Sequence, residues 1–151
     1  MKPAFMRSFF RQGWDKVTYL DPDIQVFEDF SATLDDDFDV TLARYLLSDI
    51  PKDDFRPSAH DVRMAGPFNQ GFCSTRPSAV PFLDWWSDHL EFDCLNDHRR
   101  GSFTDQKIVD LATLMAKVQV LTDPGCNVAC WNLHERRILA THDGWAVSAT
   151  R

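Results

Sequence analysis

Nowhere do these 151 residues run apolar for 18 positions in a row, so no segment reads as a membrane-spanning helix. The opening Met1-Lys2-Pro3-Ala4-Phe5-Met6-Arg7 lacks the long apolar centre and small-residue cleavage site of a secretory signal, and the cytoplasm is the expected location. Positive charge is also short. Lys and Arg number 16 against 23 Asp and Glu, a net of −7. That balance argues against a nucleic-acid binder held by phosphate contacts. Cysteine is sparse, at four residues. Cys73 and Cys94 fall in apolar segments and read as core thiols. Cys126, Cys130 and His134 recur at four-residue spacing, but this is not a usual zinc-ligand pattern and no fourth ligand is obvious. Pro124-Gly125 also argues against a helix there. Reduced thiols fit the expected compartment.

What is present is an apolar, aromatic chain. Hydrophobic residues make up 44%, with 12 Phe and 5 Trp, which is a globular composition and not a disordered one. The length suits one domain, 1–151, able to bury about 70% of its unfolded surface. The acid is uneven. From Asp21 to Asp61, twelve Asp or Glu meet only Arg44, Lys52 and Arg56, leaving that segment at net −9. It reads as a metal-binding edge or as a solvated, loop-rich surface. Asp35-Asp36-Asp37 reads as a loop.

Periodicity gives the element order. Pro3 to Gln12 reads as a short helix stopped by Gly13. Val17 to Leu20 is a buried strand, and Ile24 to Phe27 continues extended. Phe30 to Leu34 makes a helical turn or two, and Phe38 to Leu42 a strand. Ser58 caps a short helix to Met64. Phe68 to Thr75 is a strand with Gly71 inside it, and a glycine there marks a close approach to the backbone. Ser78 to Cys94 is a longer helix whose Phe82, Leu83, Trp86, Leu90 and Cys94 share one face. Asp97 to Ser102 is a polar loop, and a helix starts near Thr104. Val118 to Leu121 is a strand. Ile138 to Thr141 and Trp145 to Ser148 form a terminal hairpin. Strands alternating with helices imply an α/β layered fold with a largely parallel sheet, which binds ligands at strand C-termini.

Asp21 lies at such an end. In Tyr19-Leu20-Asp21-Pro22-Asp23-Ile24 two carboxylates flank a proline that fixes its own φ. Two like charges about 5 Å apart repel by about 0.8 kcal/mol in water and by about 3 kcal/mol at an effective dielectric near 20. In a closed site a divalent cation is the natural partner, and hard cations also bridge to phosphates.

Five segments occur in one order: the Tyr19–Ile24 run, Phe68-Asn69-Gln70-Gly71-Phe72, Phe82-Leu83-Asp84-Trp85-Trp86, Phe103-Thr104-Asp105-Gln106-Lys107, and Pro124-Gly125-Cys126-Asn127-Val128-Ala129-Cys130-Trp131-Asn132-Leu133. Together they resemble a bacterial family of nucleotide-sugar glycosyltransferases with the GT-A fold, distant relatives of the glycogenin and lipopolysaccharide-galactosyltransferase group, over about residues 3 to 148. The resemblance implies a GT-A-like, Rossmann-like mixed sheet, mostly parallel and flanked by helices. It implies that Asp21 and Asp23 hold Mn²⁺ or Mg²⁺ on the donor diphosphate, and that Asn69 and Gly71 pass under the donor sugar. Asp105 and Gln106 match a catalytic pair beside the transferring sugar. Asn127, Trp131 and Asn132 match the acceptor-side loop. The implied partners are a nucleotide-diphospho-sugar donor and a glycan, lipid or protein acceptor.

Family members also carry β-α units before the segment matching Pro3 and a His-containing strand after the segment matching Ser148. The chain therefore reads as a fragment, incomplete at both ends, with an unpaired sheet edge that favours self-association. Two other readings stand beside the transferase. One is a truncated, inactive domain with residual metal binding. The other is a haloacid-dehalogenase-like phosphotransferase, which also uses D-x-D after a strand, although Ile24 and Gln25 replace the small or hydroxyl residues that usually follow.

Overall fold

The computed structural model describes residues 2–97 and 99–150; position 98 of the expected Asp97–Ser102 loop lies outside them. Helix α1 (Lys2–Phe10) is followed by strand β1 (Val17–Leu20), a 3-10 turn at Ser31–Thr33 and strand β2 (Val40–Arg44). Helix α2 (Ala59–Ala65) leads to β3 (Phe68–Thr75), and a 3-10 turn at Pro77–Ala79 opens helix α3 (Val80–Asp93). The short strands β4 (Asn96–Asp97) and β5 (Ser102–Phe103) follow. Then come a 3-10 run (Lys107–Leu114), β6 (Val118–Leu121), β7 (Arg136–Thr141) and β8 (Gly144–Ala149). Ile24 to Phe27 forms no strand; it is exposed loop.

The expected layer, a mostly parallel GT-A-like sheet flanked by helices, is not what forms. The main sheet has four strands in the order β1-β3-β2-β6. β3 runs antiparallel to both β1 and β2, and only β2–β6 is parallel. β4–β5 and β7–β8 are separate two-stranded antiparallel ribbons. A parallel pair needs a crossover of a dozen or more residues, usually a helix packed on the sheet. Between β1 and β2 lies only a 3-10 turn in a polar loop, and α2, at seven residues, joins two antiparallel neighbours. Alternation of elements along the chain therefore did not make βαβ units.

β3 sits inside the sheet because seven of its eight residues are buried, as a strand covered on both faces must be. The core lies where β2 and β3 meet α1, α3 and the 3-10 run, and Met6, Leu42, Cys73, Phe82, Leu83, Trp86 and Val109 fill it. α1 is tied to α3 by Arg7 and Asp84, 2.6 Å apart. Trp86 is fully buried and stacks on Phe82 with ring centres 5.8 Å apart. α2 begins with a reciprocal cap: Ser58 Oγ accepts from Asp61 N–H, and the Asp61 carboxylate accepts from Ser58 N–H.

Trp86 reaches beyond the core, since its Nε1–H donates to the Asp105 carbonyl at 3.0 Å. Trp86→Phe keeps most of the ring volume but leaves that carbonyl without this donor. We expect a loss of about 1–3 kcal/mol in urea unfolding, smaller than the about 3–5 kcal/mol expected for Trp86→Ala.

Candidate functional site

Four of the residues singled out by sequence, Asp21, Asn69, Gly71 and Asp105, meet where β1 ends against an irregularity in β3. Leu42 of β2 pairs with Cys73, but the next residue, Ala43, pairs with Asn69. Gln70, Gly71 and Phe72 therefore leave the β2 ladder as a bulge, while Phe72 keeps its pairing with Leu20 of β1. Asp21 N–H donates to the Gly71 carbonyl at 2.8 Å, extending the β1–β3 contact by one bond. Ile24 N–H then returns to the Asp21 carbonyl at 3.0 Å, closing a turn with Pro22 at its second position, where a fixed φ suits it.

This close approach explains Gly71. A Cβ there would lie 2.8 Å from Asn69 Oδ1, 3.2 Å from Ile24 Cδ1 and 3.4 Å from Asp21 Oδ2. Asn69 Oδ1 itself accepts from Gly71 N–H at 2.6 Å.

The centre of the cluster is a residue the sequence did not mark, Lys2. Its ammonium lies 3.2 Å from Asp21 Oδ1 and 3.1 Å from Asp105 Oδ2, and it donates to the Gln70 carbonyl at 3.1 Å. Three donors meet three acceptors, the full capacity of an ammonium. It also sits 5.0 Å from the Tyr19 ring centre, and Tyr19 Oη–H donates to Asp21 Oδ1 at 2.7 Å. Burial works against the Lys2 charge, but Asp105 and then Asp21 outweigh it and hold its pKa above the ordinary 10.5. The hydrogen bond to Asp21, helped by burial, raises the Tyr19 phenol. A lysine opening a helix with no acid in its first turn opposes the helix dipole. That mismatch was the one trace of its role in the sequence.

Asp105 is placed with some strain. Thr104, just before it, has φ of 51°, a region a β-branched residue rarely adopts. Gln106 is buried and committed. Its Oε1 accepts from Gln70 N–H and Tyr45 Oη–H, and its Nε2 donates to the Ala65 carbonyl. It ties β3 to the end of α2 and holds Asp105 from behind.

The remaining expected residues form a second group around Tyr45. Asn132 is fully buried; its amide accepts from Ala129 N–H and donates to the Tyr45 and Asn127 carbonyls. Asn127, at φ of 58°, donates to the Arg44 carbonyl. Trp131 meets Tyr45 edge-on, with ring centres 5.4 Å apart. Tyr45 connects this group to Gln106 through its hydroxyl. The loop from Asn127 to Asn132 is thus held to the end of β2.

Asp23 stands apart. It is exposed on the turn, with no ion pair among the described residues. No three His, Cys, Asp or Glu side chains gather into a metal site among the described residues. The donors on the turn are nevertheless of the right kind for a hard cation, all carboxylate oxygen, and a positive charge already rests on Asp21. Mg²⁺ commonly takes one or two carboxylates and completes its shell with phosphate oxygens and water. Asp21, whose Oδ1 already holds Lys2 and the Tyr19 hydroxyl, and the exposed Asp23 would be the two carboxylates of such a site. Other acids of the negative segment serve the loops: Asp29, Asp35 and Asp53 each accept a backbone N–H two residues on.

Sequence reading also missed Glu135. It is 3% exposed and accepts from Leu47 N–H, Ser48 N–H and Ser48 Oγ–H, with Arg136 beside it. Burial pushes this carboxyl up, but those hydrogen bonds and Arg136 together bring it below its ordinary 4.5. A shallow groove of about 320 Å³ beside β1 is lined by Phe5, Phe9, Trp14, Val17 and Tyr19, and by neither Asp21 nor Asp105. Cys73 is buried, with its thiol pushed up to about 12, which makes it a poor nucleophile.

No known family model matches the chain. No solved structure matches it either. Among curated proteins it is 30% identical over 141 residues to the uncharacterized protein YfnF of Bacillus subtilis (strain 168). The match takes in 87% of this chain and 46% of that protein, so the chain spans about half the length of this relative.

Two outcomes follow from the geometry. Gly71→Ala forces Asn69 to give up its bond to residue 71 or the turn to move off β3, and we expect a loss of about 1–3 kcal/mol in urea unfolding. Glu135 has a lowered carboxyl, so the stability it contributes is present above its unfolded value, near 4.5, and is lost as pH falls through its lower folded value. Unfolding of Glu135→Gln should therefore depend less on pH than the parent across that acid window.

Proposed function

We propose that the chain is the core of a glycosyltransferase that moves a sugar from a nucleotide-diphospho-sugar to a glycan, lipid or protein acceptor. The observation that carries this reading is the meeting of Asp21 and Asp105 on one ammonium, where the end of β1 meets the bulge at the buried Gly71. Residues from both ends of the expected donor site thus share one place, although the sheet beneath them is not the one expected.

Asp21 and Asp23 would hold Mn²⁺ or Mg²⁺, which when bound neutralises charge on the departing diphosphate. The other roles belong to the chain's own groups. Gly71 lets the turn that bears Asp21 lie close against β3, with Asn69, Ile24 and Asp21 filling the space a side chain would take. Asn69 has its amide oxygen committed to Gly71, so its NH₂ is the group left to donate to a sugar hydroxyl. The Asp105 carboxylate accepts from donor hydroxyls or steadies positive charge at the anomeric carbon, as carboxylates do in glycosyl chemistry. In the transfer, the bond from C1 to the phosphate oxygen breaks and the diphosphate leaves with the electron pair. The acceptor oxygen bonds C1 and gives up its proton to an oxygen of the departing diphosphate. Gln106, tied on both sides, positions Asp105. Strain at Thr104 is of the kind proteins keep where a side chain must be aimed. Asn127 and Trp131 would present the acceptor side, with Asn132 holding their loop.

The test is thermal unfolding with Mn²⁺, with UDP and with both. At a hundred times the dissociation constant a ligand stabilises by about 2.7 kcal/mol, roughly 5–10 °C for a chain of this size. We expect that shift with both ligands and its loss in Asp21→Asn. A chain that melts cooperatively and ignores the pair would overturn the reading.

A further inference from the structure

We propose that Lys2 is the built-in counter-ion of this site: its ammonium holds the Asp21 and Asp105 carboxylates together and must leave Asp21 before a divalent cation takes that carboxylate. The inference rests on the donor-site reading and adds to it a residue outside all five of the segments that prompted that reading.

Lys2 is the cation that reaches both carboxylates, at 3.2 and 3.1 Å. Its three N–H groups are used by Asp21, Asp105 and Gln70, so the contact is a saturated clamp and not a passing surface pair. The clamp is partly shielded: the Lys2 and Asp105 side chains are 18% and 19% exposed, and Asp21, the carboxylate a metal would reach, is 32% exposed. A divalent cation on Asp21 Oδ1 would share that oxygen with the ammonium and with the Tyr19 hydroxyl. Two cations on one oxygen repel strongly where water is scarce. The flexible four-carbon stem lets the ammonium reach another position, and leaving Asp21 gives up one of its three bonds while those to Asp105 and Gln70 can remain. Once off Asp21, it is a positive charge beside the place where a diphosphate would arrive with its metal. Lys2 therefore opposes the bare metal and favours the metal together with diphosphate. It acts through Asp21 and Asp105, so it is a positioning residue.

The experiment is Mn²⁺ binding followed by the loss of free-ion paramagnetic resonance, without and with UDP, on the parent chain, Lys2→Met, Lys2→Arg, and Lys2→Met combined with Asp21→Asn. Removing the competing charge should tighten Mn²⁺ binding without nucleotide by about tenfold or more. The gain should vanish when Asp21→Asn is added, and Lys2→Arg should stay near the parent. UDP should strengthen Mn²⁺ binding more in the parent than in Lys2→Met. If Lys2→Met melts early, Lys2→Gln takes its place. Binding of bare Mn²⁺ that is equal in parent and variant, weaker in the variant or absent from both overturns the role of Lys2. A UDP-dependent gain that survives such a result leaves the donor reading standing. A Lys2-dependent gain with no effect of UDP removes the donor reading and with it the coupling of Lys2 to diphosphate, and leaves the competition at Asp21 standing.

Discussion

Strand β3 cannot keep a regular ladder with both neighbours. It pairs with β1 from Val17 to Leu20 without interruption, but it parts from β2 between Cys73 and Asn69. The three residues left over, Gln70 to Phe72, offer their backbone to other groups: Gln70 takes Lys2 on its carbonyl and Gln106 on its N–H, and Gly71 takes Asp21 and Asn69. A regular strand would have spent those groups on the ladder. The bulge is thus the source of the anchors that hold helix α1, the turn after β1 and the 3-10 run in one place.

Charge completes what the backbone begins. Two carboxylates brought together at the end of β1 need a cation, and the fold supplies one from the first turn of α1. Behind it lies a chain of neutral contacts: Gln106 to Tyr45, Tyr45 to Trp131, and Asn132 to the Tyr45 carbonyl. Trp86 links the same cluster to the core through Asp105. The site is therefore stiff on its protein side. Its exposed member is the turn that bears Asp23.

Local signals in the chain were legible where one element decides its own shape. Val17–Leu20, Phe68–Thr75 and Val118–Leu121 form strands as their patterns indicate, and Ser58 caps α2. The run after Thr104 winds as 3-10 instead of α-helix. The sheet's direction was not legible, because apolar alternation says that a residue faces a core and not which strand lies beside it. Nor was Lys2, whose partners are set by how α1 packs. The tight fit at Gly71 was foreshadowed by a glycine within a strand, and the structure names what it meets.

By itself, then, the sequence determined the strands at Val17–Leu20, Phe68–Thr75 and Val118–Leu121, the Pro22 turn with a carboxylate on either side, and the buried Phe82, Leu83 and Trp86 face of α3, since each depends on residues near one another in the chain. The tertiary structure alone decided that β3 lies antiparallel between β1 and β2, that Asp21 and Asp105 share an ammonium while Asp23 stays in solvent, and that Gln106 and Asn132 are structural ties. Those outcomes depend on distances between remote segments. They are fixed when the backbone groups of a bulge, the charge of a lysine and the volume of a core must all be satisfied together.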